Sequence, residues 1–247
     1  MLKYCIIIPC FNEEKRILTD EFLDFVNSHP NCNFLFVDDG SKDLTSEVIS
    51  NLSNQSNQID GLILDKNSGK AEAIRAGMNN VIKKNTYDCL GYLDADLAIP
   101  FSELERLMGK VDEGFQFVFS SKKPTKNSEL EIKFKRYFVG RVLSSMVRFS
   151  LKLKIYDTQC GCKLMTSELA SLSFKDKFIS SWLFDIELIW RIIISRDRAF
   201  FREKAIEIPV KKLIDRGSSR IKISDLFSLP FEFLKIHSYY SKLKRAN

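Results

Sequence analysis

Short runs, almost wholly apolar, alternate with longer stretches of helical periodicity through the first half of this 247-residue chain. The runs are 4–8, 34–37, 62–64, 89–93 and 115–119. Between them, 13–28, 43–52, 70–84 and 102–112 repeat apolar residues at helical spacing. A strand that is apolar on both sides must be covered on both sides. The alternation therefore predicts an α/β fold, a mainly parallel sheet flanked by helices. In such sheets ligands bind beyond the carboxyl ends of the strands.

Composition sets outer bounds. An apolar fraction of 45% with twenty Phe can supply a sizeable core. The net charge of +6 suits anionic partners: nucleic acid, phosphorylated small molecules or a membrane surface. The opening "MLKYCIIIPCFNEE" does not read as a signal peptide, because its apolar run is short and acids follow. No uninterrupted apolar run reaches the length of a membrane span. The six Cys lack metal-site spacing, Cys160-Gly161-Cys162 being a CxC, and read as reduced thiols of a cytosolic protein. His29 and His237 stand alone, which argues against a His-based catalytic centre.

The chemistry-bearing residues gather at the ends of the apolar runs. "PCFNEE" follows the first, "DDGS" the second, "DKNSGKAEA" the third and "DAD" the fourth. In an extended segment Asp94 and Asp96 would face the same way and repel, and a divalent cation would relieve this. Carboxylates suit Mg²⁺ or Mn²⁺, usually in small number beside substrate phosphates. Taken alone, "DAD" reads better as a turn with a helix cap; beside the other three strand ends it reads as a cation site. Asp38 and Asp39 could accept hydrogen bonds from a ribose or base, or could simply form an Asp-Gly turn. Gly69 and Lys70 open a helix whose N-terminus would attract phosphate, although the Walker spacing is missing.

The second half differs. Residues 132–156 carry seven Lys or Arg and no acid. Phe134, Phe138, Val142 and Met146 recur at i+4 there, as on a helix. Arg141 and Arg148 share a face of that helix, which reads either as an anion site or as a solvated basic face. "DTQCGCKLMTSE", "SSWLFDIELIWRIII", a strand-like "KAIEIPVKKL" and a turn "DRGSSR" follow. The chain closes on an amphipathic, basic stretch. Residues 1–223 read as one domain and 224–247 as a C-terminal helical extension.

In combination and in order, "IIIPCFNEE", "VDDGS", "NSGKAEAIRAGM" and "DADLAIP" resemble glycosyltransferase family 2, with its GT-A, Rossmann-like nucleotide-sugar fold. "YDTQCGCKLM" and "SWLFDIEL" are similar to motifs of the dolichyl- and polyprenyl-phosphate glucose synthases within it. The resemblance spans roughly 4–220. It implies that Pro9, Asn12, Glu13, Asp38 and Asp39 cradle the nucleoside. Gly69, Lys70 and Arg75 would lie near the nucleotide, and Asp94 and Asp96 would hold Mg²⁺ or Mn²⁺ on the diphosphate. Arg141, Arg148 and Arg220, with Arg136, would meet an acceptor phosphate. Asp185 would serve as base were the acceptor a hydroxyl.

The implied activity is inverting transfer of a hexose, glucose foremost, from a UDP-sugar to polyprenyl phosphate. The implied enzyme would be cytoplasmic or peripheral at the membrane, with no nucleic-acid partner. Two other readings stand beside it: transfer to a hydroxyl of a capsule or lipopolysaccharide glycan, and a basic nucleic-acid-binding module. Two positions depart from the family pattern. Ala98 stands where mannose-transferring relatives often have Gln, which leans against GDP-mannose. Cys162 replaces the usual aromatic.

Overall fold

The computed structural model describes residues 1–125, 144–148, 150–214, 216 and 223–246, and for 223–227, 245 and 246 the backbone alone. Strands β1 (Tyr4–Cys10), β2 (Cys32–Asp38), β3 (Ile59–Ile63), β4 (Cys89–Leu93) and β5 (Phe117–Ser121) alternate with helices α1 (Thr19–Ser28), α2 (Thr45–Gln55), α3 (Lys70–Lys84) and α4 (Phe101–Asp112). After them come β6 (Cys162–Thr166), α5 (Ser167–Ser173), α6 (Phe184–Ser195), α7 (Arg198–Lys204), β7 (Ala205–Pro209) and α8 (Ile223–Ala246). The seven strands form one sheet in the order β3-β2-β1-β4-β6-β5-β7. All neighbours run parallel except β6, which is antiparallel to both β4 and β5. The mainly parallel sheet is as expected; the strand at 162–166 was not anticipated.

The apolar strands are buried on both faces, and successive residues serve opposite cores. In β1, Cys5 and Ile7 face α3, α6 and α8, whereas Tyr4, Ile6 and Ile8 face α1, α2 and α4. In β2, Leu35 and Val37 join the first core and Phe34 and Phe36 the second. Phe22 of α1 meets Phe34, Phe36 and Phe101 edge-on at ring distances of 5.1, 4.8 and 5.2 Å, which ties α1 and α4 over β2.

β1 pairs with β2 on one side and β4 on the other, so the strand order reverses there. That reversal opens a crevice at the carboxyl ends of β1 and β4. The C-terminal helix is not a loose appendage. Phe233, Ile236 and Tyr240 belong to the same core as Trp190. Among the described residues, no helix is long and apolar enough to cross a membrane.

Candidate active site

The loops after β1 and β2 are laced together before they reach any ligand. Asn12 takes a left-handed backbone, φ 53°; its Oδ1 accepts from the Lys42 amide at 2.9 Å and its own amide donates to Ser41 Oγ at 2.9 Å. The Glu13 amide donates to Thr45 Oγ1 at 2.8 Å. Asp38 accepts from the Ser41 amide at 2.9 Å, so its carboxylate shapes the turn after β2. Pro9 lies opposite Val37 within the β1–β2 ladder.

Asp39 is buried, and both its oxygens are used by the turn that enters α3. It accepts from the Ser68 amide at 2.8 Å and the Gly69 amide at 2.7 Å. Burial raises its pKa, and these two amides only partly offset the rise. Gly69, at φ 91°, makes the turn that an L-residue resists. Lys70 then extends from the first residue of α3 to the Asp94 carboxylate. Burial opposes the ammonium, but Asp94, with Asp185 and Asp96 behind it, holds its pKa above the ordinary value.

Asp94 and Asp96 do not continue β4 in an extended line. The Leu97 amide returns to the Asp94 carbonyl at 3.2 Å, which closes a turn over 94–97. The turn is therefore present, although neither aspartate caps the following helix, which starts after Pro100. Each carboxylate has its own cation: Lys70 for Asp94, and Arg16 for Asp96. Asp96 also accepts from the Ala98 amide at 3.1 Å. Arg16 reaches back to Glu13 at 3.2 Å, linking the β1 loop to the β4 loop. On the other side a Cβ built on Gly161 would overlap the Asp94 carboxylate, so only glycine admits this close approach.

Asp185, in the first turn of α6, is buried and already engaged. Lys163 Nζ lies 2.7 Å from it and the Tyr92 hydroxyl donates to it. Lys163 is fully buried and also donates to the Cys160 carbonyl at 2.8 Å, with its ammonium 5.2 Å from the Tyr92 ring centre. A carboxylate so held positions its neighbours and is a poor free base. Glu187 of the same motif performs a packing task, accepting from the Ile179 amide, Arg191 and the Tyr240 hydroxyl at 2.8, 2.8 and 2.7 Å.

Arg75 does not join the rim. Its guanidinium is bound by Glu72 and reaches the Lys175 carbonyl at 3.3 Å. Arg148 is exposed, 3.4 Å from Ser145 Oγ. Arg136, Arg141 and Arg220 lie outside the described residues. Sequence reasoning missed Arg16, Lys163 and Tyr92. Only Lys163 left a trace, as a charge inside the otherwise apolar "CGCKLM".

The donor set suits a divalent cation shared with a ligand. Asp94 and Asp96 offer hard oxygens, and among the described residues no group of three His, Cys, Asp or Glu forms a closed cage. Mg²⁺ and Mn²⁺ accept two carboxylates when phosphate and water complete the shell.

The fold and rim together define a class: an α/β protein whose sheet switch point is flanked by a lysine-tipped helix and paired carboxylates. Residues 5–172 match the family model described as glycosyl transferase family 2, and the chain belongs to that family. It is a glycosyltransferase with a GT-A fold. A dolichyl-phosphate beta-glucosyltransferase of Homo sapiens is 31% identical over 252 residues, covering 95% of this chain and 75% of that protein. One from Trichomonas vaginalis is 29% identical over 248 residues, covering 95% and 70%. The fold is shared with glucosyl-3-phosphoglycerate synthase of Mycobacterium tuberculosis bound to UDP, at a TM-score of 0.66 and 17% identity over 96% of this chain and 80% of that one. The same synthase has been solved with Mn²⁺, UDP and glucosyl-3-phosphoglycerate, at a TM-score of 0.64.

Proposed function

We propose that this enzyme moves glucose, with inversion, from UDP-glucose to a polyprenyl or dolichyl phosphate at a membrane surface. The observation that carries the reading is the Asp94–Asp96 turn beside Lys70 at the end of β4. Relatives named dolichyl-phosphate beta-glucosyltransferases, similar over 95% of this chain, support the acceptor class. The synthase solved with UDP and Mn²⁺ supports the donor and the metal.

Asp94 and Asp96 would hold Mg²⁺ or Mn²⁺, which when bound neutralises charge on the departing diphosphate. The chain's own residues do the rest. Asp39 fixes the Ser68–Gly69 turn, so the α3 N-terminus presents its amides and Lys70 to phosphate. Gly161 lets the 160–162 backbone close against Asp94. An oxygen of the acceptor phosphate attacks sugar C1 as the bond to the diphosphate breaks, and UDP leaves from the opposite face. A phosphate nucleophile is already anionic and needs no base. This agrees with Asp185 being occupied by Lys163 and Tyr92, and it disfavours a hydroxyl acceptor.

The test is transfer of radiolabelled glucose from UDP-glucose into an organic-extractable product with polyprenyl phosphate and Mn²⁺. Asp94→Asn and Asp96→Asn should each reduce it by about 10²-fold or more, on the scale of losing one transition-state electrostatic contact. Thermal unfolding should barely move. Product from GDP-mannose but not UDP-glucose, or transfer only to a free sugar hydroxyl, would reject the reading.

A further inference from the structure

The two faces of α8 meet different surroundings. Its inner face carries Phe233, Ile236 and Tyr240 into the core. The Tyr240 hydroxyl donates to the buried Glu187 at 2.7 Å and accepts from Arg191 Nε at 3.0 Å, so the helix is fixed in rotation. Its outer face leaves Phe231 75%, Leu234 57% and Tyr239 52% exposed. Positions i, i+3 and i+8 fall on one stripe of a helix. Lys235 and Lys242, at i+4 and i+11, share that stripe. Scattered surface apolar residues are ordinary, but an ordered stripe of large ones is not.

The charge on the outer stripe is basic. Lys235 and Lys242 lie on it, while Glu232, the one acid from 228 to 244, and Lys244 lie off it. Glu232 is itself held by the Ser180 and Ser228 hydroxyls. Partial burial, then Arg198, lower the pKa of Lys244 at the helix end, and Asp197 beside them opposes the shift.

The stripe also adjoins the donor rim. Ile179, Ser180, Ser181, Glu232 and Lys235 line a cavity of about 270 Å³ between α8 and the loop before α6. Ser181 of that loop packs beside Gly69, the residue before Lys70. Trp182, next in the chain, is 37% exposed.

We propose that the outer face of α8, with Trp182, is a membrane-docking surface that seats the enzyme on an anionic bilayer. Apolar side chains enter the headgroup boundary while the lysines meet anionic lipid. The proposal rests on the lipid-phosphate reading: the same surface brings a lipid acceptor beside the rim that holds the donor.

The test is co-sedimentation of the full chain with phosphatidylcholine vesicles, with and without phosphatidylglycerol. Wild type should bind the mixed vesicles, and added salt should weaken the binding. Phe231→Ser/Leu234→Ser should lower the partition coefficient by about tenfold or more, from the apolar area withdrawn. Lys235→Glu/Lys242→Glu should lower it on mixed vesicles by at least about thirtyfold and erase the preference for phosphatidylglycerol. Transfer to a short, water-soluble prenyl phosphate should be unchanged in Phe231→Ser/Leu234→Ser, which confirms that variant is folded. Wild type that ignores both vesicles, or variants that bind as wild type does, would overturn the proposal. So would a dimer broken by Phe231→Ser without any vesicle binding, which would give the face to a second copy. Vesicle binding without transfer to the short phosphate would leave the surface standing and defeat the acceptor reading alone.

Discussion

Replacing Lys163 by Met removes one half of a buried ion pair. The lysine is fully buried, its Nζ is 2.7 Å from Asp185 and 2.8 Å from the Cys160 carbonyl, and Met fills a similar volume. Removing one partner of such a pair leaves an uncompensated charge and costs about 3–5 kcal/mol. The unmade bond at the Cys160 carbonyl adds about 1 kcal/mol. Among the described residues, Asp185 would keep the Tyr92 hydroxyl as its side-chain hydrogen-bond donor, with Lys70 a more distant charge. For a domain of this size the sum of about 4–6 kcal/mol lowers the melting temperature by about 8–24 °C. The double variant Lys163→Met/Asp185→Asn removes both charges and keeps an acceptor for Tyr92. It should recover at least about 2 kcal/mol of the loss, because the two sites are coupled. Urea unfolding of the two single variants and the double measures the cycle. A Lys163→Met penalty below about 1 kcal/mol, or a double variant no more stable than the single, would refute the buried-pair account.

Gly161→Ala should weaken Mn²⁺-dependent UDP binding by at least about tenfold, because its methyl would displace the Asp94 carboxylate; calorimetric titration checks this, and unchanged affinity would mean the loop yields freely. The six cysteines are free and buried, so the native protein should react slowly with a thiol reagent at pH 8 and expose all six in denaturant. Burial pushes Cys160 up to about 11, and Cys5 and Cys89 up to about 12, from an ordinary 9.0. The unfolded chain therefore loses these protons first. The stability they contribute is complete below pH 9 and is lost as pH rises towards 11–12, which guanidinium midpoints at pH 7.5 and pH 10 should register.

Where local pattern decided the structure, the sequence was readable. α3 spans Lys70–Lys84 and β4 spans Cys89–Leu93, as the periodicity predicts. The helix expected over 13–28 begins only at Thr19. The amides of Arg16 and Ile17 instead close a turn on the Glu13 carbonyl at 2.8 and 3.1 Å, and Thr45, thirty-two residues away, pins that turn. β6 escaped notice because a lysine interrupts its apolar run, and the partner that buries the charge, Asp185, lies far along the chain. The same limit applies at the rim. The four strand ends announced themselves locally, but Arg16 on Asp96 is a contact across eighty residues that no spacing rule foretells. Arg75 shows the converse: the family resemblance implied a place for it near the nucleotide, while a local partner, Glu72, turns it elsewhere.

The rim carboxylates raise a last question, which Lys70 can answer. Asp94 and Asp96, one residue apart, are individually neutralised by Lys70 and Arg16. A cation that binds both carboxylates must compete with the Lys70 ammonium for Asp94. The diphosphate that arrives with it is the natural next partner for that ammonium. Lys70 then has opposite effects on two affinities. Lys70→Ala should strengthen Mn²⁺ binding in the absence of nucleotide by about two- to fivefold, since this exposed pair is worth no more than about 1 kcal/mol. It should weaken UDP binding in the presence of Mn²⁺, because the helix end loses its point charge towards phosphate. Isothermal titrations of Mn²⁺ alone and of UDP with Mn²⁺ separate the two. If both affinities fall together, Lys70 supports the Asp94 geometry and does not compete for it. If neither moves, the ion pair at the rim has no part in loading the site.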